Sequence, residues 1–297
     1  MLKRTLVALA VFAAALVAAP VMTQTLAQTA GDTPMSTPSS TGKVPAGGAE
    51  IYYEIHGDGA PLVLLHGGVD PSQTFGTPLA AMARTHEVIA IHMRGHGHST
   101  DTDAPWTTEI MADDVAAVLA HLGIGKASFM GYSLGAGVAL QVAFRHPELV
   151  DKLVSVSVDY RTNDDYPEVR AAFRQLPANA AAYGEQLANS PLGELYPGVD
   201  WEAVFRKSGE MNEAESDWTE AVKTITTPTL LVFADADSIR PEHMVEFWKL
   251  LGGGQRDAGF DGSQRPLSQL AILPNTTHYN LIHSPLLTEV ATAFLTQ

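Results

Sequence analysis

A serine stands alone in the stretch "FMGYSLGAGVAL", Phe129 to Leu140, with a glycine two residues to either side. The apolar "KASFM" before it reads as a short strand, and "LGAGVALQVAFRHP" after it reads as a helix that Pro147 ends. Ser133 therefore occupies a strand-to-helix corner. In an open parallel sheet such a corner thrusts its side chain into the crevice beyond the strands' carboxyl ends, where ligands sit. A sharp corner needs small neighbours, and Gly131 and Gly135 supply them. The N–H groups that open the following helix favour negative charge beside the serine.

A serine hydroxyl attacks poorly until a base takes its proton, and a carboxylate is needed to orient that base. Two later strand ends offer both partners. "LLVFADADSIRP" carries Asp235 and Asp237, and "LAILPNTTHYN" carries His278. Asp159, at the end of another strand, is a further carboxylate candidate. His283 is a rival for the base, but it falls at the start of the last helix, where a histidine serves packing or solvation more often than chemistry.

The elements that must position these groups alternate along the chain. Apolar strand candidates lie at 87–91, 126–130, 152–158, 228–234 and 268–273. Between the first two runs a helix with Met111, Val115, Val118 and Leu122 on one face, ending at Gly123. Buried strands separated by helices predict an α/β fold with a mostly parallel sheet flanked by helices. "IYYEI" and "PLVLL", on either side of a Gly-Asp-Gly turn, read as a hairpin. From about 160 to 227 the alternation breaks into helical fragments alone, an insertion of a size suited to a lid. Its aromatic residues are read as the insertion's own core.

The N-terminus has another purpose. "MLKR" and the apolar run Leu6 to Ala19, followed by Pro20 and "TLA", form a signal peptide over 1–27. The run is shorter than the roughly 20 residues that span a bilayer, so cleavage and export, periplasmic or secreted, are expected. Residues 28–48, rich in Pro, Ser, Thr and Gly, read as a flexible linker, with the folded domain at 49–297. With no cysteine among 297 residues there are no disulfides, no thiol nucleophile and no thiolate metal site, and no lipid-modified cysteine to anchor the cleaved chain. The formal charge of −15 argues against nucleic acid and anionic lipid as partners, so no stable membrane association is expected after cleavage.

Taken together, "LLHGG", "MRGHGHS", "GYSLGAGVALQVAFRHPELV", "FADADSIRP" and "PNTTHYNLIHSP" resemble the α/β-hydrolase fold family in order and spacing. The resemblance implies Ser133 as nucleophile, His278 as base and Asp237 as the orienting acid, with Asp235 and Asp159 as rivals. Ala234 stands where the family commonly has glycine. It implies an oxyanion hole from the backbone N–H of Leu134 and of Gly68, with Val69 next, His66 bracing the loop, and no cofactor. Serine rather than aspartate at the corner argues against epoxide opening and halide displacement, leaving small-molecule esters or lactones as the expected substrates. Relatives with the same three groups that run cofactor-free peroxidation or cleave carbon–carbon bonds are the alternative, as is a non-catalytic binding protein. In "HMRGHGHS" the spacing of His92, His96 and His98 matches no helical zinc motif, so no metal site is expected. His92 stands where the family often has aspartate, which leaves Arg94 in need of another carboxylate.

Overall fold

The computed structural model describes residues 37–69, 75–162 and 164–297. The expected signal peptide lies outside them. Eight strands form one sheet: β1 (Ser40–Ala46), β2 (Ala49–His56), β3 (Ala60–Leu65), β4 (His86–Ile91), β5 (Ala127–Tyr132), β6 (Val150–Val156), β7 (Thr229–Ala236) and β8 (Ser268–Thr277), in the spatial order β1-β2-β4-β3-β5-β6-β7-β8. From β4 through β8 every pairing is parallel, while β1 and β2 add an antiparallel edge.

Two sequence readings are corrected at that edge. The supposed linker 28–48 is not a tether from Ser40 onward: it pairs with β2 along its length and buries Val44. Its Ser, Thr, Gly and Pro suit an edge strand, which buries little and leaves one backbone side unpaired. The hairpin is therefore β1 with β2, not β2 with β3. The Gly-Asp-Gly segment does not fold β2 back on β3, because it runs over the start of β4. A Cβ at Gly57, whose φ is +70°, would lie 2.1 Å from the Ala83 carbonyl oxygen.

The sheet buries both faces by strict alternation. Along β3, Val63 and Leu65 face one layer with α2 (Thr108–Leu122), α3 (Leu134–Arg145) and α9 (Pro241–Leu250), while Leu62 and Leu64 face α1 (Gly76–Met82) and α10 (Pro285–Leu295). Thr107 caps α2 by accepting the Ile110 N–H at 3.1 Å, and Gly123 ends it in the left-handed conformation.

Between β6 and β7 the described residues form five helices and no strand of the sheet, α4 (Pro167–Phe173), α5 (Leu176–Ala188), α6 (Pro191–Leu195), α7 (Trp201–Glu213) and α8 (Thr219–Val222), with isolated bridges at Arg161, Asp165 and Asp217. Tyr196, Trp201 and Val204 join the main core rather than a separate one, and Leu176, Ala180 and Phe205 form a small cluster between α5 and α7. One charged strut also ties α7 down. Lys207 is buried, and its ammonium donates to Asp101 Oδ2 at 2.7 Å, to the Ala104 carbonyl at 3.0 Å and to the Thr102 carbonyl. A buried ammonium is tolerated only when its donors are used in this way. Among the described residues no helix is long and apolar enough to cross a membrane.

Candidate active site

The corner at Ser133 is as sharp as its glycines imply. Ser133 has φ 53° and ψ −118°, a conformation L-residues rarely adopt. A Cβ on Gly131 would lie 2.2 Å from the Gly135 carbonyl oxygen, and one on Gly135 the same distance from that of Leu65. Even alanine would collide with backbone at either position. The strained residue is held by its own N–H, which donates to the Val156 carbonyl at 2.9 Å. The serine thus stands at the junction of β5, β6 and α3.

His278, in the loop that closes β8, meets it there. Ser133 Oγ lies 3.1 Å from His278 Nε2, and Nδ1 on the far side of the ring lies 3.3 Å from Asp237 Oδ1. The Asp237 side chain is fully buried. Burial alone would raise its pKa, but His278, the Ala234 N–H at 2.8 Å and the Ser157 hydroxyl all favour the ionised form, and the net result is a pKa below the usual carboxylate range. The rival carboxylates serve elsewhere. Asp235 accepts the N–H groups of Asn275 and Thr276 at 3.0 and 2.9 Å, fixing the turn that leads to His278. Asp159 makes no hydrogen bond to His278 among the described residues, and burial, with Asp165 and Asp164 nearby, pushes its carboxyl up. Tyr132, next to the serine, donates its hydroxyl to the His278 carbonyl at 2.5 Å and so pins the histidine loop to β5.

The "HGG" turn lies against the corner. A Cβ on Gly67 would sit 3.8 Å from that of Ser133, and one on Gly68 would sit 4.0 Å from that of Leu134. The structure thus brings Gly68 and Leu134 together beside the serine. Leu134 opens α3, so its N–H has no carbonyl one turn back to bond. His66 fixes the other side. Its Nδ1 donates to the Gly67 carbonyl at 2.7 Å, while Nε2 accepts the Met93 N–H at 3.0 Å. The Gly67 carbonyl and the Gly68 N–H belong to one peptide unit, so this bond both orients and polarises that N–H. Burial first, then neighbouring His96, holds His66 well below the usual histidine range, so the ring is neutral.

Comparison with known proteins agrees with this fold. A model of the α/β hydrolase fold matches residues 60–192. An uncharacterised protein of Mycobacterium tuberculosis is 37% identical over 112 residues, 38% of this chain and 33% of that protein, so the match spans a third of that relative's length. A Rhodococcus erythropolis protein named a non-heme haloperoxidase is 29% identical over 221 residues, 65% of this chain and 81% of its own. The structure of an esterase from Thermogutta terrifontis superposes with a TM-score of 0.68 at 23% identity, covering 87% of this chain and 98% of that one.

The chain has the α/β-hydrolase fold.

Against that family's pattern the histidine-rich turn is the departure, and the structure resolves it. Arg94 finds its carboxylate on α2: Nε and Nη2 meet Asp114 Oδ2 and Oδ1 at 2.7 and 2.6 Å, with both side chains buried. Such a two-pronged pair fits guanidinium geometry. His92 Nδ1 accepts the His98 N–H at 3.0 Å, and burial pushes its pKa down to about 3. The two ring nitrogens of His96 face the carbonyls of Arg94 and Gly68 at 3.0 and 2.9 Å. Imidazoles engaged with backbone in this way are braces. Among the described residues no group of three or more His, Cys, Asp or Glu is arranged to hold a metal ion. A cavity of about 760 Å³ opens beside this turn, lined by Tyr52, His98, Trp106 and Tyr196, and its walls include none of Ser133, Asp237 and His278.

Two polar residues at the site escaped the sequence reading. Ser157, at the end of β6, touches both Asp237 and His278, and Ser238 Oγ lies 3.1 Å from His278 Nδ1. Ser238 follows Asp237 directly, a cue the sequence does hold. For Ser157 the cue was weak, since "VSVSV" alternates as any half-buried strand would.

Proposed function

We propose that the chain is a hydrolase of carboxylic esters or lactones that works through an acyl-enzyme on Ser133. The observation that carries the reading is the 3.1 Å approach of Ser133 Oγ to His278 Nε2, with Asp237 behind the same ring. As Ser133 attacks the carbonyl carbon, its proton passes to Nε2. The charge that develops on the carbonyl oxygen is met by the N–H groups of Leu134 and Gly68. His278 then gives the proton to the leaving oxygen, and water repeats the sequence in reverse to free the acid. Asp237 holds the ring and stabilises the imidazolium. The helices α4 to α8 act as a lid that sets which acyl and alcohol groups enter. No cofactor or metal has a part. The esterase-like fold supports this reading, and the haloperoxidase relative supports a second one, in which the same groups carry a carboxylic acid through peroxide.

Export is part of the proposal. Cleavage after Ala27 releases a soluble periplasmic or secreted enzyme whose acidic surface keeps it from nucleic acid and anionic lipid. The test is hydrolysis of p-nitrophenyl acetate, butyrate and octanoate by the signal-free protein beside Ser133→Ala. Turnover lost in the variant supports the acyl-enzyme, and turnover retained removes Ser133 from the chemistry. Halogenation by the wild type with peroxide and acetate, without ester turnover, selects the second reading.

A further inference from the structure

We infer that the link between His278 and Asp237 runs through the hydroxyl of Ser157, which makes this serine a fourth, positioning member of the site. The inference deepens the hydrolase reading and rests on it. The direct distance from His278 Nδ1 to Asp237 Oδ1 is 3.3 Å, long for a hydrogen bond to an ionised group. Ser157 Oγ lies closer to both partners, 2.7 Å from Nδ1 and 2.7 and 2.8 Å from the two Asp237 oxygens. One hydroxyl can accept from Nδ1–H while donating its only proton to the carboxylate. Ser238 Oγ also faces Nδ1, but at 3.1 Å it is the longer of the two hydroxyl contacts, and the pattern leaves Nε2 open to accept from Ser133.

The backbone points the same way. Ser157 is fully buried and has φ 52°, one of three non-glycine residues with positive φ among the described residues, another being Ser133 itself. Its N–H donates to the Val232 carbonyl at 2.8 Å, so β7 holds it in this strained state. Glycine would satisfy the backbone better and supply no hydroxyl. Asp237 is fixed independently by the N–H groups of Ala234 and Ser238, each at 2.8 Å, so the carboxylate is not free to close on the ring.

In the attack on substrate the Ser133 proton moves to Nε2, and the Nδ1 proton stays where it is. The positive charge on the ring is then felt by Asp237 through the Ser157 hydroxyl. The other titratable groups facing this link are the carboxyl of Asp165 at the entry to the insertion, Tyr132 from β5, and Tyr279 on the histidine's own loop.

The test uses Ser157→Gly, which relieves the positive φ, and Ser157→Ala, which does not. In both, kcat/KM for p-nitrophenyl butyrate falls by about 10- to 100-fold, the loss expected for a hydrogen bond to a charged group. The acid limb of the kcat/KM–pH profile moves to lower pH, because the imidazolium loses its tie to the carboxylate. The low-field proton resonance of His278 Nδ1–H moves upfield, a readout that needs no turnover and so separates failure of this inference from failure of the hydrolase reading. If Ser157→Ala does not fold, Ser157→Gly decides alone. Wild-type kcat/KM in Ser157→Gly overturns the inference. A fall in rate with an unmoved pH profile and an unmoved Nδ1 resonance overturns it as well, since packing alone would give that result.

Discussion

Two regions of this molecule collect imidazoles, and they use them in opposite ways. At the carboxyl edge of the sheet, the His278 ring lies between side-chain oxygens, with Ser133 on one nitrogen and Ser157, Ser238 and Asp237 on the other. In the turn that follows β4, together with the "HGG" loop, the nitrogens of His66 and His96 and the Nδ1 of His92 meet backbone groups. A hydroxyl can give up a proton and a carboxylate can answer the resulting charge. A peptide group can do neither near neutral pH. On the proposed function, the partner, more than the histidine, decides whether the ring moves protons or holds a loop in place.

The widest separation between the regions should come from matched alanine variants. His278→Ala is expected to lower kcat/KM about 10,000-fold or more while leaving the melting temperature close to that of the wild type, as removal of a member of such a series typically does. His66→Ala should lower kcat/KM far less, through a slackened Gly68 N–H, and cost about 3 kcal/mol of stability because it opens a buried cavity and strands the Met93 N–H and the Gly67 carbonyl. Urea unfolding and steady-state kinetics on both proteins check this. Equal melting curves for the two variants would erase the distinction.

Acid gives the next largest effect. His92 is buried with a pKa pushed down to about 3, so in the folded state it stays neutral where the unfolded chain takes up a proton. Its contribution is complete above the ordinary histidine value of about 6.5 and is lost as pH falls toward 3. Between pH 7 and pH 5 this amounts to about 2 kcal/mol, and the lowered values of His66 and His96 add in the same direction. Melting measured across this range should show stability dropping well above the pH at which carboxylates titrate, and His92→Asn should flatten the curve. Asp237, held below its usual range, contributes only at lower pH: its share is present above about 3.8 and lost as pH falls further.

The smallest expected effect sharpens the comparison from within the reactive region. Tyr132→Phe removes a hydroxyl that donates to the backbone of the histidine loop. It should cost about 1 kcal/mol and slow kcat several-fold, with KM little changed, as the ring loses some of its aim. A KM effect larger than the kcat effect would move Tyr132 from positioning His278 to contacting substrate.

What could be read from residues alone follows the same division. Ser133, Asp237 and His278 each sit where a strand ends in a turn, so local pattern and chain order single out three residues that the fold brings together. The parallel sheet was legible because its strands are continuous apolar runs. Ser157 was not, because its role depends on β6 lying beside β7 and on a backbone angle that no local pattern announces. The partner of Arg94 was missed for a related reason: Asp114 lies mid-helix, 20 residues on, amid acidic neighbours that all look solvated. The edge hairpin was misassigned because a strand that buries only Val44 has almost no hydrophobic signature, whereas its register with β2 is set by backbone pairing.

The strut at Lys207 has a consequence for anyone who would exchange the insertion between relatives. Its ammonium leaves α7 and ends in the segment 101–104, which continues directly from the turn whose His96 touches the Gly68 carbonyl. A transplanted insertion without a lysine at this point would leave the half-buried Asp101 with no counter-charge and loosen the segment next to the turn that braces Gly68. A chimera should therefore carry Lys207 and Asp101 together, as one unit of inheritance, even though 106 residues separate them in the chain.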